Sequence, residues 1–183
     1  MSLAKVREAL AALVAASQEE LPPEEAIESV PEETPEAAAP EGEQAEEAAA
    51  PPPPLVDTNH AKKGFHLDVT VAPDQVVQAA EILDGEKYTI EAVTGVDWIK
   101  EEQMEVVYDY CDTADFSRVV IRARIPRATP ELPTISRVFP GADWHERETH
   151  DFFGITFVGH PDLSPLLLPE DADYHPLLKD FTA

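Results

Sequence analysis

The sequence MEVVYDYCDTADFSRVVIRARI, residues 104–125, decides the fold class. Apolar residues occupy alternate positions over residues 104–110 and again over residues 119–125. A period of two residues is that of a β-strand with one buried face. The polar stretch DTADFS between the two runs is short, and neighbouring strands joined by a short loop pair antiparallel. The sequence therefore predicts two adjacent antiparallel strands.

The residues before this pair predict a strand, a helix and a further strand. The stretch GFHLDVTV, residues 64–71, alternates in the same way, and YTIEAVTGVDW, residues 88–98, also reads as a strand. Between them, Pro73 suits a first helical turn and Gly85 suits a helix end. With a helix expected after them, the strands predict an α+β, two-layer domain with a four-stranded mixed sheet and packed helices. The sequence contains neither Gly-x-Gly-x-x-Gly nor a P-loop, which argues against a nucleotide-binding doubly wound sheet.

The first 60 residues differ in composition from the rest. Residues 1–21 place apolar side chains at three- and four-residue steps, which predicts a short amphipathic helix. Residues 22–60 are rich in Pro, Glu and Ala, with too little apolar surface to offset the entropy of ordering, and predict a disordered linker. Helix and linker form either a solubilising tail or a device by which the helix docks on a partner. We expect the folded domain over residues 61–163.

The charge and the single cysteine exclude several classes of protein. The formal net charge is −24, and residues 1–60 contribute 14 acidic and two basic side chains. Phosphate backbones and anionic lipids are recognised through Lys and Arg, so we expect neither nucleic-acid binding nor direct membrane insertion. Cys111 is the only cysteine, which excludes an intrachain disulfide and fits a reducing, cytoplasmic setting. No apolar stretch reaches the ~18 residues of a spanning helix, and the first residues lack the pattern of a signal peptide.

The sequence DWHERETHDFFG, residues 143–154, predicts the helix that carries the candidate site. Asp143 followed three residues later by Glu146 resembles a capping box, which would start the helix at Trp144. Gly154 is placed to end it.

One interpretation of this helix is a metal-dependent hydrolase. Metalloprotease helices need two histidines four residues apart, whereas His145 and His150 are five apart, about 140 degrees round a helix. They cannot hold one ion from a regular helix. A hydrolase would instead rely on Glu146 and His150, which share a face, with His160 or His175.

A second interpretation is a surface that contacts another protein. Arg147 and Asp151 are four residues apart and can pair on one face. Aromatic and acidic side chains form a further stripe at Trp144, Glu148 and Phe152. Arg and aromatic residues are common anchors of protein interfaces. The alternative is a helix that is satisfied wholly within its own domain.

The C-terminal residues predict an extended segment. Prolines at positions 161, 165, 169 and 176 are spaced too closely for a long helix or a central strand. Apolar side chains nonetheless continue to the end, at Leu163, Leu166, Leu167, Leu168, Tyr174, Leu177, Leu178 and Phe181. An extended apolar segment buries little surface by itself, so we expect residues 164–183 to dock on a second protein. The alternative is that they fold back on the chain's own sheet.

Two stretches resemble a known family. FPGADWHERETHDFFGITFVGHPDL, residues 139–163, and PEDADYHPLLKDF, residues 169–181, are similar to the C subunit, or 30 kDa subunit, of respiratory complex I (NADH:quinone oxidoreductase). Equivalent subunits of energy-converting hydrogenases share this pattern. The likeness continues upstream through VTGVDW, MEVVYDY and RVVIRARIP, so it covers about residues 64–183.

The resemblance implies a non-catalytic structural subunit in the hydrophilic arm of a proton-translocating oxidoreductase. The implied partners are the large, D-type, hydrogenase-like subunit and iron–sulfur subunits of B and I type. The resemblance implies that this chain has no catalytic residue and binds no cofactor or metal of its own, while the complex contains iron–sulfur clusters, and FMN if it is NADH-linked. It also implies a peripheral position at the cytoplasmic face of the bacterial inner membrane. The residues that carry the family signature or the implied partner interface are Trp144, Glu146, Arg147, Glu148, Asp151, Phe152, Phe153, Gly154, His160, Pro161, Asp162, Leu163, Leu166, Leu167, Leu168, His175, Pro176, Lys179 and Asp180.

Three features depart from the family pattern. Ser164 and Pro165 stand where the family usually has arginines, and Leu178 replaces another arginine, so any salt bridges of those arginines are missing. The acidic N-terminal stretch is also unusual. These departures leave the electron donor open, and an equivalent subunit of a membrane-bound hydrogenase or a ferredoxin-linked relative is the alternative. A small metal-dependent hydrolase and a free adaptor that uses the N-terminal helix as bait are the remaining possibilities.

Overall fold

The computed structural model describes residues 3–19 and 53–182. Its main sheet has five strands, which are β1 (Leu55–Asp57), β2 (Leu67–Val71), β3 (Tyr88–Trp98), β4 (Gln103–Asp112) and β5 (Arg118–Pro126). They lie in the order β1-β2-β5-β4-β3. Strands β4 and β5 are antiparallel, with Tyr108 opposite Ile121, which confirms the predicted strand pair. The β2–β5 contact is parallel, so the sheet is mixed, as predicted.

The predicted number of four strands was wrong. The fifth strand, β1, pairs with β2 through Leu55–Asp57, in a segment expected to belong to the linker. The folded domain therefore begins before Ala61. A separate two-stranded parallel sheet joins β6 (Glu131–Pro133) to β7 (Thr156–Val158). Strands this short carry too little periodicity to be recognised in the sequence.

The described residues also form four α-helices, namely α1 (Leu3–Glu19), α2 (His60–Lys63), α3 (Val76–Gly85) and α4 (Ala142–Phe153), and two short 3-10 helices. The core lies between the sheet and helices α1, α3 and α4. Alternate residues of β4, such as Val106 and Tyr108, are buried in it. The opposite side of the sheet carries ion pairs instead, including Arg122 with Asp68 at 2.7 Å. This division gives the two-layer arrangement expected from the strand patterns.

Helix α1 packs on its own domain. The two interpretations given to it, a solubilising tail and a helix that docks on a partner, were therefore wrong. Val6, Leu10 and Val14 are buried in the core against α3 and β2. The side-chain amide of Gln75 donates to the Leu13 carbonyl at 2.9 Å, and Arg7 pairs with Asp57. The apolar stripe is therefore used internally and is neither a free tail nor a bait for a partner. The predicted linker lies mostly outside the described residues.

Helix α4 starts two residues earlier than predicted. It begins at Ala142 with Gly141 at the N-cap position, and no side chain caps it, so the predicted capping box was wrong. Gly154 ends the helix with φ 73°, as predicted. The helix lies close to β3 because Gly95 leaves room for the Phe153 ring. A Cβ at position 95 would come within 2.6 Å of that ring.

Candidate interaction surface

Asp151 of α4 holds the first part of the C-terminal segment by its backbone. One carboxylate oxygen, Oδ2, accepts the N–H groups of Leu166, Leu167 and Leu168 at 2.9, 2.7 and 3.2 Å. Burial acts to raise the pKa of Asp151, but these three hydrogen bonds hold it below the ordinary value. The segment is thus fixed to α4 through main-chain groups, and the side chain of Leu167 stays exposed.

Arg147 holds the preceding residues in a similar way. Its guanidinium donates to the Ser164 carbonyl at 3.1 Å, to the Ser164 hydroxyl at 3.2 Å and to the Pro165 carbonyl at 3.3 Å. The predicted pairing of Arg147 with Asp151 was wrong, because each side chain binds the C-terminal segment instead. Ser164 and Pro165, where the resemblance predicts arginines, therefore contribute oxygen atoms that accept hydrogen bonds from Arg147.

A second anchor lies at the end of β3 and was missed from the sequence. The fully buried side chain of Asp97 accepts from Arg127 Nε at 2.9 Å and from the Lys179 N–H at 2.8 Å. Arg127 also pairs with Asp180 at 2.6 Å. The sequence could have indicated this anchor, because Asp97 lies on the inward face of a strand. A buried carboxylate without a partner is costly, so a partner for Asp97 was to be expected.

The histidine near the chain end completes the attachment. His175 Nδ1 donates to the Asp151 carbonyl at 2.8 Å, and the Leu177 N–H donates to the Phe152 carbonyl at 3.1 Å. The His175 ring rests on Gly154, where a Cβ would come within 2.7 Å of the imidazole. The C-terminal segment therefore contacts both α4 and the end of β3.

The side chains of this segment divide into two groups. Leu178 packs against the core, as does Leu163 just before the segment. Leu167 is 60% exposed and Leu177 50% exposed. Tyr174 and Phe181 are also exposed and stack on each other with ring centroids 5.6 Å apart. The segment folds back through its backbone, yet it presents a row of apolar side chains to the outside.

Glu146 does not face solvent or a metal. Its carboxylate is completely buried, where Oε1 accepts the Ile135 N–H at 2.8 Å and Oε2 accepts the Thr134 hydroxyl at 2.5 Å. Burial raises the pKa of Glu146 to about 7, although the hydrogen bonds from Thr134 and Ile135 act in the opposite direction. The His160 imidazole lies 3.7 Å from Oε2. Glu146 thus ties α4 to the segment after β6.

The histidines proposed for a hydrolase have other partners. His150 Nδ1 donates to the Ile155 carbonyl at 2.9 Å, and the His150 and His175 rings meet edge to face 6.5 Å apart. His160 Nε2 donates to the Asp143 carbonyl at 3.3 Å. Across residues 3–19 and 53–182, no three His, Cys, Asp or Glu side chains are grouped to hold a metal ion. The structure does not bring Glu146, His150 and His175 together as a catalytic set.

The remaining signature residues lie around these contacts. Trp144 is 64% exposed, and Glu148 is also exposed. Asp162 accepts the Ser164 N–H at 2.9 Å and donates its own N–H to His160 Nδ1, which shapes the turn at Pro161. Three further members lie partly buried on the C-terminal segment or exposed at its end, namely Leu168, Pro176 and Lys179.

Comparison with known proteins identifies the family. The family model described as "Respiratory-chain NADH dehydrogenase, 30 Kd subunit" matches residues 69–183. This chain belongs to that family. The matched residues include β3 to β7, most of β2, α4 and the C-terminal segment, whereas α1 and β1 lie outside them.

Two curated relatives illustrate the relationship of this 30 kDa subunit family member. The NADH-quinone oxidoreductase C subunit of Roseiflexus castenholzii is 39% identical over 119 residues, which are 62% of this chain and 68% of the relative. The NADH-quinone oxidoreductase C/D subunit of Phocaeicola vulgatus is 42% identical over 93 residues, 50% of this chain and 18% of that longer protein.

Two solved structures share the fold of this family member. A chain of the membrane-bound sulfane sulfur reductase, an archaeal respiratory membrane complex, matches with a TM-score of 0.62 and 26% identity, covering 72% of this chain and 79% of that one. A trypsin-resistant fragment of Nqo5 matches with a TM-score of 0.51 and 29% identity, covering 60% and 89%. Within the described residues, none of the helices has the length and apolarity required to cross a membrane.

Proposed function

We propose that this chain is a non-catalytic structural subunit in the hydrophilic arm of a proton-translocating, complex I-type NADH:quinone oxidoreductase. Membership of the 30 kDa subunit family and the names of its relatives support the assignment. In this role the chain scaffolds other subunits and binds no cofactor. Electron transfer belongs to partner subunits that contain iron–sulfur clusters, and FMN where the complex is NADH-linked.

The observation that carries this proposal is the way the C-terminal segment is held. Asp151, Arg147 and Asp97 fix its backbone, while Leu167 and Leu177 remain half-exposed or more. Ordering a residue costs roughly 1–2 kcal/mol of backbone entropy, so a segment ordered beforehand loses less on binding. Burying a fully exposed leucine contributes roughly 1.5–3 kcal/mol, and covering the exposed part of Leu167 and Leu177 contributes the corresponding share. Residues 164–182 thus form a docking strap, the name used below for this segment.

The large, D-type subunit is the partner we propose for the docking strap. The relative of Phocaeicola vulgatus carries the designation C/D, and this chain covers only 18% of that protein. A fusion keeps two polypeptides at high effective concentration, as expected for neighbours in a complex. Iron–sulfur subunits of B and I type are the further proposed neighbours, and the complex would lie at the cytoplasmic face of the bacterial inner membrane.

A second candidate is the equivalent subunit of another membrane-bound oxidoreductase. The observation that favours it is the match to a chain of the sulfane sulfur reductase, which has the higher TM-score of the two structures. In both candidates the chain is a scaffold, and they differ in the electron donor of the complex. Identification of the co-purified subunits separates them, because only an NADH-linked complex contains a flavin subunit that oxidises NADH.

The test of the proposal changes the outward leucines of the docking strap. The tagged full-length chain carries Leu167→Ser together with Leu177→Ser, and the control carries Val158→Ser, which alters a 55% exposed residue outside the strap. After mild extraction, mass spectrometry measures the amount of D-type subunit per tagged chain. We expect the double variant to lose roughly tenfold or more of this subunit, since buried apolar anchors dominate interfaces. Equal recovery with both variants would contradict the proposal.

A further inference from the structure

The arginines of this acidic chain are unequally compensated. The described residues contain seven arginines, and five pair with carboxylates, namely Arg7, Arg118, Arg122, Arg124 and Arg127. Of the seven, Arg137 and Arg147 lie within 4 Å of no described carboxylate oxygen. Arg147 is hydrogen-bonded to carbonyl and hydroxyl oxygens, which carry no full negative charge. In a chain with a net charge of −24, these two arginines are positive groups that an anion from outside the chain could pair with.

Both arginines flank the most exposed tryptophan of the described residues. Arg137 lines a cavity of about 390 Å³ together with Trp144, Pro140 and Pro161. On the other side, Arg147 Cζ lies 6.0 Å from the centroid of the Trp144 ring. Trp144 is 64% exposed, and tryptophan and arginine are the residue types that most often anchor protein interfaces. Trp144 thus borders both the cavity with Arg137 and the guanidinium group of Arg147, and this set of groups is called here the Trp144 cavity.

The carboxylates nearest to this surface do not neutralise it. Asp143 lines the cavity, but its carboxylate lies 3.7 Å from His160 Nε2 and forms no ion pair with Arg137. The pKa of Asp162 is lowered chiefly by hydrogen bonds from Ser164 and also by the charge of Arg147, yet no ion pair joins Asp162 to Arg147. The two guanidinium groups are therefore available to carboxylates from outside the chain.

We propose that the Trp144 cavity receives an acidic loop of a neighbouring subunit, with an apolar side chain against Trp144 and carboxylates paired to Arg137 and Arg147. This inference rests on the proposed function, because the neighbour is a subunit of the same oxidoreductase. An acidic peptide fits the charge of the two arginines, and the prolines and indole supply the apolar wall. A lipid surface does not fit, since a chain of net charge −24 is repelled by anionic head groups.

The first experiment reverses one charge and removes the indole. Arg137→Glu and Trp144→Ala are introduced separately into the tagged full-length chain, and Lys100→Glu serves as a control with the same charge change at an exposed position. Quantitative mass spectrometry then measures every co-purified subunit per tagged chain at low and high salt. Arg147 is left intact because it also holds the docking strap.

We expect both cavity variants to reduce recovery of one neighbouring subunit roughly tenfold, the loss typical of a central anchor residue. The effect of Arg137→Glu should shrink at high salt, because exposed charge pairs are screened. Lys100→Glu should behave as the unaltered chain. Undiminished recovery of every subunit with both cavity variants would overturn the docking inference.

The second experiment identifies what occupies the cavity. A photo-cross-linking amino acid replaces Pro140 in cells, an exposed residue that lines the same cavity, so that Trp144 is kept, and the attached peptide is sequenced by mass spectrometry. A peptide of a neighbouring subunit that carries two or more Asp or Glu residues supports the inference. A basic peptide, a lipid adduct or a second copy of this chain overturns it.

The two proposals fail in different ways. If the unaltered chain recovers no oxidoreductase subunit, the proposed function is wrong. The docking inference alone is wrong if the unaltered chain recovers the complex, both cavity variants recover it equally well, and the cross-link is not to an acidic peptide of a neighbouring subunit. The proposed function stands in that case.

Discussion

Asp151 on α4 accepts the backbone N–H of Leu167 at 2.7 Å, sixteen residues further along the chain. The same oxygen accepts two neighbouring N–H groups, so one carboxylate orders a turn of a segment that has no helix or strand of its own. Hydrogen bonds to a charged acceptor are about twice as strong as neutral ones. Asp151 is therefore the residue that converts a proline-rich C-terminus into an ordered docking strap.

Replacing Asp151 with Asn should loosen the docking strap without unfolding the domain. The amide is neutral and replaces one acceptor oxygen by a donor, so we expect a local loss of about 1–3 kcal/mol. Hydrogen–deuterium exchange over residues 164–180 should accelerate in this variant. Asp171→Asn, at an exposed position of the same segment, is the matched control. Unchanged exchange in the Asp151 variant would show that the carboxylate does not hold the segment.

Stability should depend on pH through Glu146. Burial raises the pKa of this carboxyl from 4.5 to about 7, so the folded state favours the protonated form. The protonated Glu146 carboxyl therefore contributes its full share to the stability of the folded state below the pKa of the unfolded chain. This contribution is lost as pH rises through the folded-state pKa of about 7. A shift of this size corresponds to about 3 kcal/mol.

The measurement compares the free energy of unfolding of the unaltered chain with that of Glu146→Gln from pH 4.5 to 8. The variant keeps an oxygen to accept the Ile135 N–H but has no titratable group at this site. As pH rises over this range, the unaltered chain should lose about 3 kcal/mol of its free energy of unfolding relative to the Glu146→Gln variant. Parallel curves across this range would mean that Glu146 does not titrate there.

The close approach of α4 to β3 should not tolerate a methyl group at Gly95. A Cβ there would lie 2.6 Å from the Phe153 ring, and overpacking of this kind typically costs about 1–3 kcal/mol. Chemical denaturation of Gly95→Ala measures that loss. Gly85→Ala is the control, because nothing lies within 4 Å of its added Cβ. A loss equal to that of the control would contradict the packing described for Phe153.

Helix α1 should behave as part of the core. Leu10 is fully buried, and Leu10→Ala is expected to reduce the free energy of unfolding by about 2–5 kcal/mol. Arg7→Ala, which removes an exposed ion pair with Asp57, should have a far smaller effect, because solvent screens such pairs. Urea denaturation of the full-length chain measures both. A negligible loss with Leu10→Ala would restore the interpretation of α1 as a free appendage.

The central part of the fold was predictable because its strands are long and periodic. The β4–β5 pair follows directly from alternation over residues 104–125, and the α+β class follows from the order of elements. Strand β1 was missed because three residues cannot show a period, and because prolines precede it. The sequence also does not show what the apolar face of α1 packs against. The same pattern is expected whether this face packs on the chain's own core or on a partner protein.

The contacts of the predicted site residues could be anticipated from the sequence only in part. Arg147 and Asp151 lie on one helix face, as helical spacing requires, but spacing does not reveal that the docking strap binds both. The role of Glu146 as a buried tie to Thr134 depends on a segment twelve residues away. Asp97 and Lys179 are 82 residues apart, so no local signal connects them. Long-range hydrogen bonds of this kind are fixed by the tertiary structure alone.

The most direct measurement of the central claim is the amount of D-type subunit recovered with a tagged chain that ends at Leu163. The shortened chain retains α1, the whole main sheet and α4, and its unfolding transition confirms that it is folded before the comparison is made. The account predicts a cooperative transition at lower stability, since Leu178 and the Lys179 N–H no longer contact the domain. It also predicts loss of the D-type subunit, because the exposed leucines of the docking strap are absent. Recovery of that subunit at the level of the full-length chain would contradict the account.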